Sequence, residues 1–201
     1  MSNDASLLII ACGALAHEIT ALIEVNRWQH VSIQCLPAEL HNRPEEIPGA
    51  VKAKLNATGK QFDQVFIAYA DCGTGGMLDK LLEAEGIERL PGAHCYEFFA
   101  GTDRFAQLHE REPGTFTLTG LLARNFDRLV IQGLGLDRYP EIQEQYFEND
   151  HRLVYLSQGD SADLLERARG AAAQRGREFG HVMTGYGQLE ESLIRVASPT
   201  A

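Results

Sequence analysis

The sequence predicts an α/β protein, an open and mostly parallel sheet with helices on both faces in a Rossmann-like or flavodoxin-like three-layer arrangement. Three observations carry this expectation. Short apolar runs recur along the 201 residues, segments with apolar side chains three and four apart fall between them, and glycine stands at several of the run ends. Strands separated by helices imply right-handed crossovers and parallel pairing.

Residues 7–12 are a continuous apolar run followed by Gly13, which reads as a fully buried strand. Ala16, Ile19, Leu22 and Ile23 then recur at helical spacing. Residues 30–35 alternate as a second strand, and Pro44 with the series Ile47, Val51 and Leu55 predicts a helix ending at Gly59. Residues 62–69 form the third strand. A glycine-rich turn over 71–76 leads into a helix whose stripe is Met77, Leu78, Leu81 and Leu82, closed by Gly86. Residues 88–94 read as a short strand and 96–109 as a helix. Glu112, Pro113 and Gly114 make a break, and 118–125 is a helical or irregular segment. Residues 127–133 and 151–156 read as strands flanking a helix near 140–149. The Ala, Leu, Arg and Glu of 161–175 predict a strong helix, and 178–183 is a last strand before Gly185. One domain over 1–201 is expected, or two small α/β lobes that meet near 112–126.

The composition excludes several functions. Asp and Glu outnumber Lys and Arg by 28 to 18, a net charge of −10 with no basic run, so nucleic acid is not an expected partner. The longest apolar runs, 7–12, 65–70 and 129–131, fall far short of the ~20 residues that span a bilayer, and residues 1–6 carry no basic leader segment. A cytoplasmic protein with a small-molecule ligand is expected, and a homo-oligomer is left open.

Four cysteines without a CxxC pair do not make a disulfide scaffold, and in a reducing compartment they are free thiols or ligands. Cys12, Cys35, Cys72 and Cys95 each fall at or just after the end of a predicted strand. In a parallel sheet those ends share one edge, where α/β proteins bind ligands, so the thiols can converge there. The alternative is that they are small core residues. Imidazoles and carboxylates stand nearby: His17 and Glu18 after Cys12, His41 after Cys35, and His94 and Glu97 around Cys95. Thiolate with imidazole is zinc chemistry, with iron as an alternative; an iron–sulfur cluster fits the wide spacings less well.

The turn of Asp71, Cys72, Gly73, Thr74, Gly75 and Gly76 opens a helix, so its N–H groups are expected to form a nest for a small anion, with the Cys72 thiol acidified by the helix end. Neither GxGxxG nor a P-loop is present, so no tightly bound nucleotide is expected. A metal-free enzyme would use Cys72 or Cys95 as nucleophile with His94 or His41 as base. DxHxxG is absent, so the chain is not expected to hold cobalamin base-off itself.

The phrases at 11–15, 36–44, 69–76 and 94–97, with 114–119, 129–137 and 184–187, together resemble the domain-of-unknown-function family numbered 1638 over nearly the whole chain. That resemblance implies a setting of corrinoid- and folate-dependent methyl transfer, and it stresses Cys12, His41, Cys72 with Gly73, and His94 with Cys95, more than Cys35. The expected protein is thus a zinc-binding component or accessory of one-carbon metabolism, partnered by a corrinoid protein or methyltransferase. If it is an enzyme, a methyltransferase-type or metal-dependent transferase is expected, with Glu97 or Glu18 moving a proton. A metal-free binding module and a cysteine-nucleophile enzyme are the alternatives.

Overall fold

The computed structural model describes residues 5–111 and 113–198. Residues 1–4 of the segment searched for a leader, and Glu112 at the head of the expected break, lie outside them. The described residues form an α/β protein with two parallel sheets in two compact units, residues 1–95 with 188–201, and residues 96–187. The division falls at 95/96 and 187/188, where the sequence places a lobe boundary near 112–126.

The first unit opens with β1 (Leu7–Cys12), all six residues of which are buried. This total burial makes it central: β2 (Val31–Leu36) pairs with one side and β3 (Gln64–Ala68) with the other, both parallel, and the two-residue β4 (Glu88–Arg89) completes the order β2-β1-β3-β4. The crossovers are α1 (Ala16–Val25), α2 (Ile47–Thr58) and α3 (Met77–Glu85). α2 buries Ile47, Val51 and Leu55, the predicted stripe, and Pro48 stands in its first turn, where the missing N–H is harmless. α3 starts after Gly76 and stops at Gly86, both in the left-handed region that glycine adopts without strain.

The second unit contains α4 (Glu97–Ala100), α5 (Thr102–Arg111), β5 (Thr115–Leu118), α6 (Gly120–Arg124), α7 (Gln143–Phe147), β6 (Arg152–Ser157), α8 (Ala162–Gln174) and β7 (Glu178–Met183). Its sheet order is β5-β6-β7, all parallel. The Ser161 hydroxyl caps α8 by accepting the Leu164 N–H. Leu118, Leu153 and Tyr155 of the sheet pack with Phe126, Val130, Leu164 and Ala168 in its core.

Several elements differ from expectation. Residues 115–118 form strand β5, where the sequence placed none, and the strand expected over 88–94 is only Glu88–Arg89. Asp127–Gln132 is a π-helical segment where a strand was predicted. Its buried residues Leu129 and Val130 follow Ala123 and Phe126 at helical spacing, so the apolar run is one face of a continuing helix. The Leu136 N–H reaches back to the Ile131 carbonyl, five residues away, at 2.8 Å. The single helix expected over 96–109 is two, because Gly101 stands between them at φ +78°. α9 (Gly187–Ala197) had no counterpart in the sequence reading, though Leu189, Leu193 and Ala197 form a buried stripe four residues apart. From residue 188 it belongs to the first unit, where Arg195 meets Glu88 at 2.9 Å. Among the described residues no helix is long and apolar enough to cross a membrane.

Candidate metal centre

The C-terminal ends of β1 and β2 deliver the first donors. Cys12 is the last residue of β1 and also caps the short 3-10 turn Gly13–Leu15, its Sγ accepting the Ala14 N–H at 3.2 Å. The backbone beside it is tight. A Cβ on Gly13 would stand 2.9 Å from the Leu36 carbonyl oxygen, so only glycine lets the chain leaving β1 lie against the chain leaving β2. That closeness sets the 3-10 turn Ala38–Asn42, and His41 within it, beside Cys12.

The His41 ring lies 3.8 Å from the Cys12 sulfur at both of its nitrogens. Its Nδ1–H donates to the Ala38 carbonyl at 3.0 Å, which in the neutral ring leaves the Nε2 lone pair for another partner. The ring is held flat over Tyr69, centroids 6.2 Å apart and planes 13° from parallel. A bond to a carbonyl on one nitrogen and an aromatic face beneath the ring orient this imidazole as metal-binding histidines are oriented.

The remaining thiols come from the loops after β3 and β4. These loops are tied to each other, the Asp71 N–H donating to Gly92 at 3.1 Å and the Cys72 N–H to Ala93 at 2.8 Å. The Cys72 and Cys95 sulfurs stand 3.0 Å apart, both as free thiols. Cys72 is at φ +49°, a conformation costly for a residue with a Cβ, and Gly73 beside it packs a bare Cα against Pro44.

Cys12, His41 and Cys95 offer ligand atoms that all lie within 4.8 Å of one another. A tetrahedral zinc with bonds of about 2.0–2.3 Å sets its ligand atoms roughly 3.4–3.8 Å apart. The Cys12–His41 separation of 3.8 Å already has that value, and the Cys72–Cys95 separation of 3.0 Å has only to open by under an ångström to reach it. The donors are soft thiols and an imidazole, and all of them belong to one unit. This group can bind a metal ion.

Electrostatics within the cluster are coupled. Burial opposes an imidazolium at His41, but hydrogen bonds and negative charge from Cys72 and Cys95 outweigh it and raise its pKa to about 10. The Cys72 thiol is pushed up by its hydrogen bond to Cys95 and by burial, although His41 pulls the other way. This reverses the acidified Cys72 expected from the helix start, because the thiol points to its neighbours in a buried pocket. The Cys95 thiol is also raised, first by Cys12 and then by burial. Burial and the three surrounding thiols hold the Tyr69 hydroxyl far above its ordinary value.

Other predicted residues are placed differently. Cys35 is exposed on β2 and outside the cluster. His94, though next to Cys95, is exposed, and it is not among the residues whose ligand atoms gather. His17 is exposed on α1, whereas Glu18 is buried in its first turn; Glu97 is buried at the start of α4 in the second unit. The expected anion nest is occupied by the chain itself. Asp71 accepts the Gly76 N–H at 2.9 Å, the Gly75 N–H at 3.2 Å and the Thr74 hydroxyl at 2.8 Å, which also lowers its own pKa. Gly73, Thr74, Gly75 and Gly76 therefore shape the loop that carries Cys72.

Tyr69 was not anticipated. It is fully buried, and among the described residues its hydroxyl has no hydrogen-bond partner. Its position, an aromatic residue at the mouth of the strand leading to Cys72, was the available signal.

A family model described as protein of unknown function, DUF1638, matches residues 35–193. The chain belongs to this family. The matched stretch of the DUF1638 chain contains His41, Cys72 and Cys95, with Cys12 ahead of it. No curated protein and no solved structure matches the chain.

Proposed function

We propose that this DUF1638 protein binds zinc through Cys12, His41 and Cys95, with Cys72 as the fourth donor, and serves corrinoid- or folate-dependent one-carbon metabolism in the cytoplasm as a methyltransferase component or accessory. The observation that carries the metal is the gathering of the three ligand atoms within 4.8 Å, with a fourth sulfur 3.0 Å from Cys95. Zinc suits this donor set better than iron because three thiolates and one imidazole at tetrahedral spacing are one of its usual structural arrangements. The methyl-transfer setting is supported by the resemblance and by the thiolate chemistry.

Bound there, zinc would hold its cysteine ligands as thiolates, and it would supply Lewis acidity toward an outside thiol or water only where one of the four donors gives up its place. The chain's own contributions are distinct. Ala38 fixes the tautomer of His41, Tyr69 fixes its plane, and the Ala14 N–H fixes the Cys12 sulfur. Glu18, in the same unit as the cluster, is the carboxylate we assign to proton movement. A corrinoid protein or methyltransferase is the partner we propose.

Elemental analysis of protein purified without added metal tests the core of this reading. Close to one zinc per chain is expected, and protein without metal that takes up none on titration would overturn it. The Cys12–His41 contact favours a second reading, a metal-free thiol–imidazole enzyme. That reading predicts rapid alkylation of Cys12 unaffected by chelators. For the pathway, deletion of the gene is expected to impair growth on a methylated amine while sparing growth on a multicarbon substrate, and unimpaired growth on both would count against it.

A further inference from the structure

Cys72 and Cys95 stand in a relation that metal binding does not require. Four ligands around one ion need only face its centre, yet these two sulfurs face each other at 3.0 Å, closer than the tetrahedral edge of roughly 3.8 Å for two zinc-bound sulfurs. The backbones that carry them are fastened together by the Asp71–Gly92 and Cys72–Ala93 hydrogen bonds, so the approach is fixed by the fold. The Cys12 sulfur, by contrast, is engaged by the Ala14 N–H.

We infer that Cys72 and Cys95 are a redox modification site, a dithiol that a small-molecule disulfide oxidises to an intramolecular disulfide, and that this oxidation expels the bound metal. The second half of the statement rests on the metal reading; the first does not. Cys72 retains 7% exposure against 3% for Cys95, which makes it the entry point. Its sulfur, once it has given up its proton, attacks one sulfur of the oxidant, forming a mixed disulfide and releasing one small thiol. The Cys95 sulfur then attacks the Cys72 sulfur, closing the Sγ–Sγ bond and releasing the second small thiol. Two electrons pass to the oxidant, which leaves as two thiols; its two protons come from the Cys72 and Cys95 thiols in the metal-free protein, and from solvent where the metal holds both as thiolates. Neither sulfur of the new bond is then a thiolate, so the metal loses Cys72 and Cys95 together and retains only Cys12 and His41.

The test uses full-length protein carrying Cys35→Ser, which removes the exposed thiol, in metal-free and zinc-loaded forms, treated with oxidised glutathione. Alkylation and intact mass count the remaining thiols, peptide mapping locates the linkage, and a chromogenic chelator follows zinc. The expected result is loss of two of the three remaining thiols, a linked pair of peptides containing Cys72 and Cys95, and release of zinc in step with that loss. Adding Cys12→Ser separates the two readings: zinc is then held more weakly and is stripped beforehand with the chelator, but the Cys72–Cys95 linkage still forms. Metal-free parent protein that keeps all three thiols, or that links Cys12 instead, overturns the dithiol. Linkage that forms while zinc stays bound refutes the coupling alone.

Discussion

Replacing Cys12 by serine separates the metal from the fold. The serine Oγ can still accept the Ala14 N–H that the sulfur accepts at 3.2 Å, and serine is among the best residues at such a cap, so the turn Gly13–Leu15 is retained. The donor itself is lost, because a hydroxyl stays protonated where a thiol ionises to bind zinc. Structural zinc sites bind with about 10–16 kcal/mol over four ligands, or roughly 3 kcal/mol per ligand. At ~1.4 kcal/mol per tenfold, that is a loss of at least about a hundredfold in affinity. Competition against a chromogenic chelator measures it, with far-ultraviolet circular dichroism to confirm the fold. Cys35→Ser, altering an exposed thiol on β2 outside the cluster, is the control and is expected to leave affinity unchanged. An unchanged zinc affinity in Cys12→Ser, or equal losses in both variants, would refute the assignment.

Tyr69→Phe is expected to stabilise the metal-free protein by about 1–2 kcal/mol in urea unfolding, because the buried hydroxyl it removes has no partner; a loss of stability would mean that the hydroxyl is bonded in solution. Gly13→Ala places a Cβ 2.9 Å from the Leu36 carbonyl oxygen, so it is expected to cost about 1–3 kcal/mol and to weaken zinc binding by shifting Cys12 against His41, read as a lowered Tm and a raised Kd. Asp71 has a folded pKa below its ordinary 3.8, held down first by the Gly76 N–H. Its contribution to stability is therefore fully present above that ordinary value and is lost as pH falls through the folded pKa. Asp71→Asn should accordingly lower stability by under about 1 kcal/mol at neutral pH, since the carboxylate is partly solvated, and the difference should vanish in acid.

Local structure was largely legible because it follows from local rules. The all-apolar β1 has to be a central strand, the stripe Ile47, Val51 and Leu55 has to be a helix face, and Ser161 has to begin α8. The sequence also placed Cys12, Cys72 and Cys95 at strand exits, and parallel strands put their exits on one edge. Periodicity could not separate helix from strand at Asp127–Gln132, where a short apolar run satisfies either and only its packing with Ala123 and Phe126 decides.

Which side chains meet at the edge is a three-dimensional matter. His41 and His94 are equally plausible ligands in sequence, and His94 is the nearer to a cysteine, yet it is exposed. His41 enters the cluster because Gly13 lets the chains leaving β1 and β2 touch, and a backbone approach of that kind leaves only a glycine as its trace. In the loop expected to form an anion nest, the Asp71 carboxylate accepts the Gly75 and Gly76 N–H groups from inside the loop. The direction of the Cys72 pKa likewise depends on where its sulfur points: a helix start acidifies a thiol facing solvent, whereas burial against Cys95 raises it. Sequence spacing thus determined which donors are available at the sheet edge, and tertiary packing decided which of them converge, because convergence depends on side-chain direction and backbone contact between segments far apart in the chain.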